Sequence, residues 1–132
     1  MANKRSGKQT VKLTSPVSIA ATATIVGPKE GEGPLKLCFD MIIDDEMWGE
    51  KSWEKAESKI IRETFSKLLS KADKTTGDIN YVIAGDLLNQ CIAANFGMRD
   101  SGIPFFGVFG ACSTMAESMH LGAMLIDGGF AD

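Results

Sequence analysis

Phe105-Phe-Gly-Val-Phe-Gly-Ala-Cys-Ser-Thr114, followed by the small and apolar run from Met115 to Ile126, is the stretch that decides how the chain is read. Pro104 opens a strand from Phe105 to Phe109, since proline has no N–H for a ladder and is tolerated where a strand begins. Gly110 and Ala111 are small enough to let this strand turn sharply. A helix starting at Ala111 or Cys112 then runs through Met115, Ala116, Met119, Leu121, Ala123, Met124 and Ile126 to a stop at Gly128-Gly129. Cys112 thus falls on a tight turn between a buried strand and the start of a helix. That helix is apolar on nearly every side apart from Glu117 and His120, a pattern that predicts burial between layers.

Two further strand–helix pairs precede this one. From Val17 to Val26, Val17, Ile19, Ala21, Ala23 and Ile25 fall on one face and Ser18, Ala20, Thr22 and Thr24 on the other, which is the period of a strand. Gly27 to Glu50 mixes turn residues with a short apolar stretch around Leu37 and Phe39, a long excursion between elements. Ser52 caps a helix whose apolar positions (Trp53, Ala56, Ile60, Ile61, Phe65, Leu68 and Leu69 among them) recur at three- and four-residue steps, Glu and Lys filling the opposite face. Lys55 stands where a capping box would have Glu, so the cap is incomplete. Ile79 to Ala84 is a second strand ending at Gly85-Asp86, and Leu88 to Met98 a second helix.

Strand, helix, strand, helix, strand, helix predicts an α/β fold with a parallel sheet, right-handed crossovers and helices on its faces. A sheet whose final element is its most buried one is unfinished, and a further strand is expected beyond Asp132. Met1 to Lys12 carries Lys4, Arg5, Lys8 and Lys12 without a following apolar run, so residues 1–16 are expected to be a flexible N-terminal arm rather than a signal peptide.

Composition narrows the functional classes. With 132 residues, 44% apolar content and a net charge of −3, the chain suits one core and lacks the clustered cations that nucleic-acid binding requires. No stretch approaches the roughly 20 apolar residues of a spanning helix. Cys38, Cys91 and Cys112 are odd in number and lack CxxC spacing, which predicts a reducing, cytosol-like compartment and no zinc site. The acidic run Asp44-Asp-Glu46 lacks the alternating ligands and central glycine of a calcium loop.

Two readings of Cys112 follow from its position. At a helix start the backbone N–H groups and the positive end of the dipole favour a thiolate or a bound anion, which is how a cysteine becomes nucleophilic. Cysteine is also a small hydrophobe often placed for packing alone. Gly110, Ala111, Cys112 and Ser113 form the candidate anion-binding turn. Asp86, Asn89 and Gln90 join them as candidates, because they follow a strand at the sheet edge where open α/β folds bind ligands; the same types equally cap helices.

Gly33-Pro-Leu35, Lys51-Ser-Trp-Glu54, Ala84-Gly-Asp-Leu-Leu-Asn-Gln90, Phe109-Gly-Ala-Cys-Ser-Thr-Met-Ala-Glu117 and Asp127-Gly-Gly-Phe-Ala131, in this order, resemble the stage V sporulation protein AD family. The turn and small-residue helix at Cys112 also resemble the nucleophile region of the wider thiolase superfamily, which includes thiolases and ketoacyl synthases. The resemblance implies a thiolase-like fold of three-layer type, of which residues 17–132 would be the first half, with the second half absent. It further implies binding of pyridine-2,6-dicarboxylate (dipicolinic acid) within the SpoVA apparatus that moves it, with calcium, in sporulation and germination. Membrane subunits of that apparatus would be partners, the full-length protein a homodimer, and the location the forespore or spore, cytosolic or peripheral at the inner membrane.

The resemblance leaves three functions: a dipicolinate binder, an acyltransferase using Cys112, or a docking subunit without chemistry. The catalytic histidines of thiolases would lie in the absent half. His120, the chain's one histidine, is eight residues along the helix from Cys112, about 12 Å by helical rise, too far to act as its base. No enzymatic activity, no resident cofactor and no metal site are therefore expected, calcium entering only as a chelate of the ligand. Because Asp86, Asp100 and Glu117 rather than arginines surround the turn, a dianion needs cations from elsewhere or a bridging calcium ion.

Overall fold

The protein is described by a computed structural model for residues 4–132; residues 1–3 of the expected arm lie outside the described residues. Residues 4–16 were expected to be a flexible arm, and here they carry a hairpin. Strand β1 (Arg5–Ser6) pairs antiparallel with β2 (Thr10–Val11), Arg5 opposite Val11, the reversal eased by Gly7 at φ 66°.

Of the alternating stretch from Val17, only Ile25–Val26 forms a strand, β3. The expected strand is thereby corrected to its last two residues. Thr24 still bonds to Asp40 and Met41, but among the described residues nothing pairs with 17–23, so the period-2 face has no neighbour to stabilise it, and Ile19 stays 68% exposed. The excursion that follows contains structure that the sequence reading did not place: α1 (Pro28–Glu32), a 3-10 turn at Lys36–Cys38, and β4 (Met41–Ile42). β4 runs parallel to β3 with Ile25 opposite Met41.

The long helix is α2 (Trp53–Ala72). Ser52 accepts the Lys55 N–H at 3.4 Å, and Asp73 ends the helix in the left-handed conformation at φ 52°. Strand β5 (Val82–Ala84) is shorter than the predicted 79–84: its pairing covers only Val82–Ala84, and Thr75 and Asp78 close a capping box over the preceding 3-10 turn Thr76–Asp78. Helix α3 (Ile92–Met98) packs its buried Ala93, Ala94, Gly97 and Met98 against α2. The approach is close: a Cβ on Gly97 would lie 2.9 Å from the Ser58 carbonyl oxygen and 3.1 Å from Ile61 Cγ2.

The expected start of α3 at Leu88 is also corrected. Asn89, Gln90 and Cys91 all have positive φ, of 50°, 55° and 70°, which excludes them from a right-handed helix. Tertiary bonds hold this turn: Asn89 Nδ2 donates to Glu54 Oε1 at 3.0 Å, and the Cys91 thiol donates to the Val108 carbonyl at 3.1 Å.

Strand β6 (Phe105–Gly107) lies parallel to β5 in the register Val82–Phe105, Ile83–Phe106 and Ala84–Gly107. After a 3-10 turn at Ala111–Ser113, α4 (Thr114–Asp127) returns across β5. The sheet is thus divided into three two-stranded pieces, two of them parallel, in a mixed α/β arrangement. The burial predicted for α4 is not found: none of its residues is buried, and Met115 and Met119 are 75% and 50% exposed. One side of α4 has β5, and among the described residues no layer covers the other.

The hairpin is tied to the far end of α4. Lys4 Nζ meets Asp127 Oδ2 at 2.6 Å, and Asp127 Oδ1 accepts the Thr14 and Ser15 backbone N–H groups at 2.9 and 2.7 Å. These bonds hold the Asp127 carboxyl below its ordinary pKa of 3.8, the Lys4 hydrogen bond contributing most.

Candidate functional site

The parallel pairing of β5 with β6 sets the two chain exits side by side, and both lead into one cleft of about 780 Å³. Gly85 makes this possible. It sits against the Val108 carbonyl and the start of α4, where an added Cβ would overlap Val108 O and come within 2.9 Å of Thr114 Cγ2. Any side chain here would separate the strand end bearing Asp86 from the turn bearing Cys112.

Asp86 is 7% exposed. Its Oδ2 accepts the Ala94 N–H at 2.7 Å, in the first turn of α3, satisfying a donor that the helix cannot pair internally. Its Oδ1 is buried and, among the described residues, has no hydrogen-bond partner. One oxygen thus serves as the helix cap and the other is left over, so the capping and ligand readings of Asp86 are compatible. A buried carboxylate oxygen without a donor carries a desolvation cost that a ligand or a cation would relieve.

The Cys112 turn is built by the strand-to-helix reversal. Ala111 adopts φ 49°, and Cys112 lies within the 3-10 turn rather than in α4, which corrects the expected helix start at Ala111 or Cys112 to Thr114. Ser113 Oγ donates to the Gly110 carbonyl at 2.6 Å, and the Gly110 N–H donates to Thr114 Oγ1 at 3.1 Å. A side chain at Gly110 would displace the Ser113 hydroxyl and the Glu117 carboxyl, because a Cβ there would overlap Ser113 Oγ and lie 2.6 Å from Glu117 Oε2.

Asp86, Ala111 and Cys112 are therefore brought together on one cleft, with Cys112 exposed at its surface. The other sequence candidates do not line it. Gly110 and Ser113 are engaged in the turn itself, Asn89 is bound to Glu54, and Gln90 is an exposed link of the left-handed turn. His120 is exposed on α4 and does not line the cleft either.

One residue of the cleft escaped the sequence reading. Glu57 on α2 lines it together with Thr64 and Leu68, seven and eleven residues further along the same helix face. Burial, and after it the charge of Asp86, raises the pKa of the Glu57 carboxyl. The available signal was its place at the margin of the apolar stripe, where it was counted among the residues of the opposite, solvated face. Among the described residues lining the cleft there is no Lys, Arg or His. No group of three or more His, Cys, Asp or Glu able to hold a metal ion occurs among the described residues. None of the described helices is long and apolar enough to cross a membrane.

A sequence model of the family described as stage V sporulation protein AD matches residues 7–132. The chain belongs to that family. It is 42% identical over 128 residues to stage V sporulation protein AD of Bacillus subtilis (strain 168), a match covering 97% of this chain and 38% of the relative. The chain thus spans well under half the length of this family relative. Every residue of the cleft, from Ala23 to Met119, lies within the part matched to the family.

Proposed function

We propose that the protein serves in sporulation as a binding component for pyridine-2,6-dicarboxylate in the SpoVA apparatus, with a thiolase-like fold in the complete family protein. The observation that carries this reading is the meeting of buried Asp86 and the Cys112 turn in one cleft, in a chain of the stage V sporulation protein AD family. The cleft suits a small planar aromatic acid. Met115, Met119 and Leu68 offer apolar surface to the ring, and the start of α4 presents the positive end of its dipole to a carboxylate. Membrane subunits of the apparatus are its proposed partners, a homodimer its assembly, and the forespore or spore its location, cytosolic or peripheral at the inner membrane.

The same geometry favours binding over catalysis. Acyl transfer through Cys112 needs a base within hydrogen-bond reach of the thiol, and His120 stands two turns away along α4. The chain by itself is expected to show no turnover of acetoacetyl-CoA; turnover abolished by Cys112→Ala would establish the acyltransferase function instead.

Calorimetric titration of pyridine-2,6-dicarboxylate into the protein, with and without calcium, tests the binding role. Saturable heat that is weakened in Cys112→Ala supports it. Absence of heat in both conditions, with saturable binding of an acyl-CoA, overturns it.

A further inference from the structure

The cleft presents an electrostatic problem to any dicarboxylate. It is lined by two carboxyl groups, Asp86 and Glu57, and among the described residues by no cation. Asp86 is held through its Oδ2 by the Ala94 N–H, and its second oxygen is already buried without a donor. A dianion entering this space would face two like charges at low effective dielectric, where each repulsion is larger than in water. The cheapest relief is neutralisation of the carboxyl group that is not tied down, and Glu57 accepts no hydrogen bond from the described residues that would hold it ionised.

We infer that Glu57 is the proton acceptor of the cleft, so that each dicarboxylate binds together with one proton taken from solvent onto the Glu57 carboxylate. This rests on the reading of the cleft as a dicarboxylate site and names the residue that lets an acidic pocket accept an acidic ligand. The proton neutralises one of the two wall charges and converts Glu57 from a repelling acceptor into an O–H donor. That donor can be offered to the ligand.

Burial and the charge of Asp86 act on Glu57 in the same direction. Asp86 faces it from the turn after β5, and Cys112 from the turn before α4. Glu46, from the segment after β4, shares with Glu57 an adjoining groove that also contains Trp53 and Leu87. Residues 92–98 of α3 and the β3 pair Ile25–Val26, which pack on α2, contain no titratable side chain. Glu117 and His120 of α4 do not line the cleft. Burial and the Asp86 charge already raise the Glu57 pKa in the empty site, and two further negative charges beside it raise it again. Between the free and the bound value, binding takes up a proton.

The test is calorimetry of pyridine-2,6-dicarboxylate, without metal, into the protein and its Glu57→Gln variant in buffers of different ionisation enthalpy, repeated from pH 6 to pH 8. Circular dichroism of both proteins checks that α2 is intact. For the wild type the expected result is uptake of about one proton per ligand, with affinity rising up to about tenfold per unit fall in pH. Glu57→Gln is expected to bind with no buffer dependence and to be tighter than wild type at pH 8. Binding with equal heat in all buffers by the wild type, or proton uptake that persists in the variant, overturns the role of Glu57 and leaves the ligand reading standing. No saturable heat at any pH in either protein overturns the ligand reading, and this inference with it.

Discussion

Asp86 Oδ2 accepts the Ala94 backbone N–H at 2.7 Å, so the residue that closes the β5 exit also caps α3 eight positions later. Cap and cleft wall are one side chain. Its removal therefore has a stability effect that must be separated from any effect on binding. Asp86→Ala is expected to destabilise the fold by about 1–3 kcal/mol, because the N–H is left buried without an acceptor. Asp86→Asn keeps an oxygen acceptor and is expected to cost less than half as much. Urea denaturation of both variants checks the order.

The contact of Gly97 with the Ser58 carbonyl predicts that α3 cannot accept alanine there. In an exposed helix Gly→Ala gains about 1 kcal/mol of propensity. Here the new Cβ would stand 2.9 Å from a backbone oxygen and 3.1 Å from Ile61, and neither belongs to a flexible chain end. Overpacking of this kind costs about 1–3 kcal/mol, so Gly97→Ala is expected to lower the denaturation midpoint rather than raise it.

The Asp127 anchor predicts a pH dependence confined to the N-terminal hairpin. The folded pKa lies below the ordinary 3.8, so this contribution is fully present above about 3.8 and is lost as pH falls through the lower folded value. Hydrogen exchange of the Thr14 and Ser15 amides should show protection that fades across that acidic window. Asp127→Asn should reduce the protection already at neutral pH, while the amides of α2 keep theirs.

Ala111 sits at φ 49°, in the left-handed region where a β-branched residue is an outlier. Ala111→Val is expected to destabilise by about 1–3 kcal/mol and to shift the position of Cys112. Thermal melts and the rate of Cys112 alkylation read the two effects separately. An unchanged melting temperature would contradict the strained turn.

Local pattern was sufficient for α2, because its apolar residues recur at helical spacing over many turns and Ser52 marks its start. It was also sufficient for the parallel sense of β5 and β6, since two short apolar runs flanking a helix leave little other topology. The Cys112 turn was legible for a related reason: Gly110 and Ala111 are small enough to let a strand turn sharply into a helix.

What local pattern missed depends on partners distant in sequence. Residues 17–24 have strand periodicity, but a strand exists only where another pairs with it, and β4 pairs only with Ile25–Val26. Asn89 to Cys91 have the composition of a helix start, yet bonds to Glu54 and Val108 hold them left-handed. An apolar helix such as α4 announces a need for cover without supplying it.

By itself, then, the amino-acid sequence determined the order and kind of the main elements, the Cys112 turn and the family, because these follow from residue spacing and local steric rules. Only the tertiary structure decided that Asp86 and Cys112 share a cleft while Asn89 and Gln90 do not, and that Glu57 stands with them. The physical reason is that the path of β5 beside β6, held open by the missing Cβ of Gly85, sets distances between residues that no local rule relates.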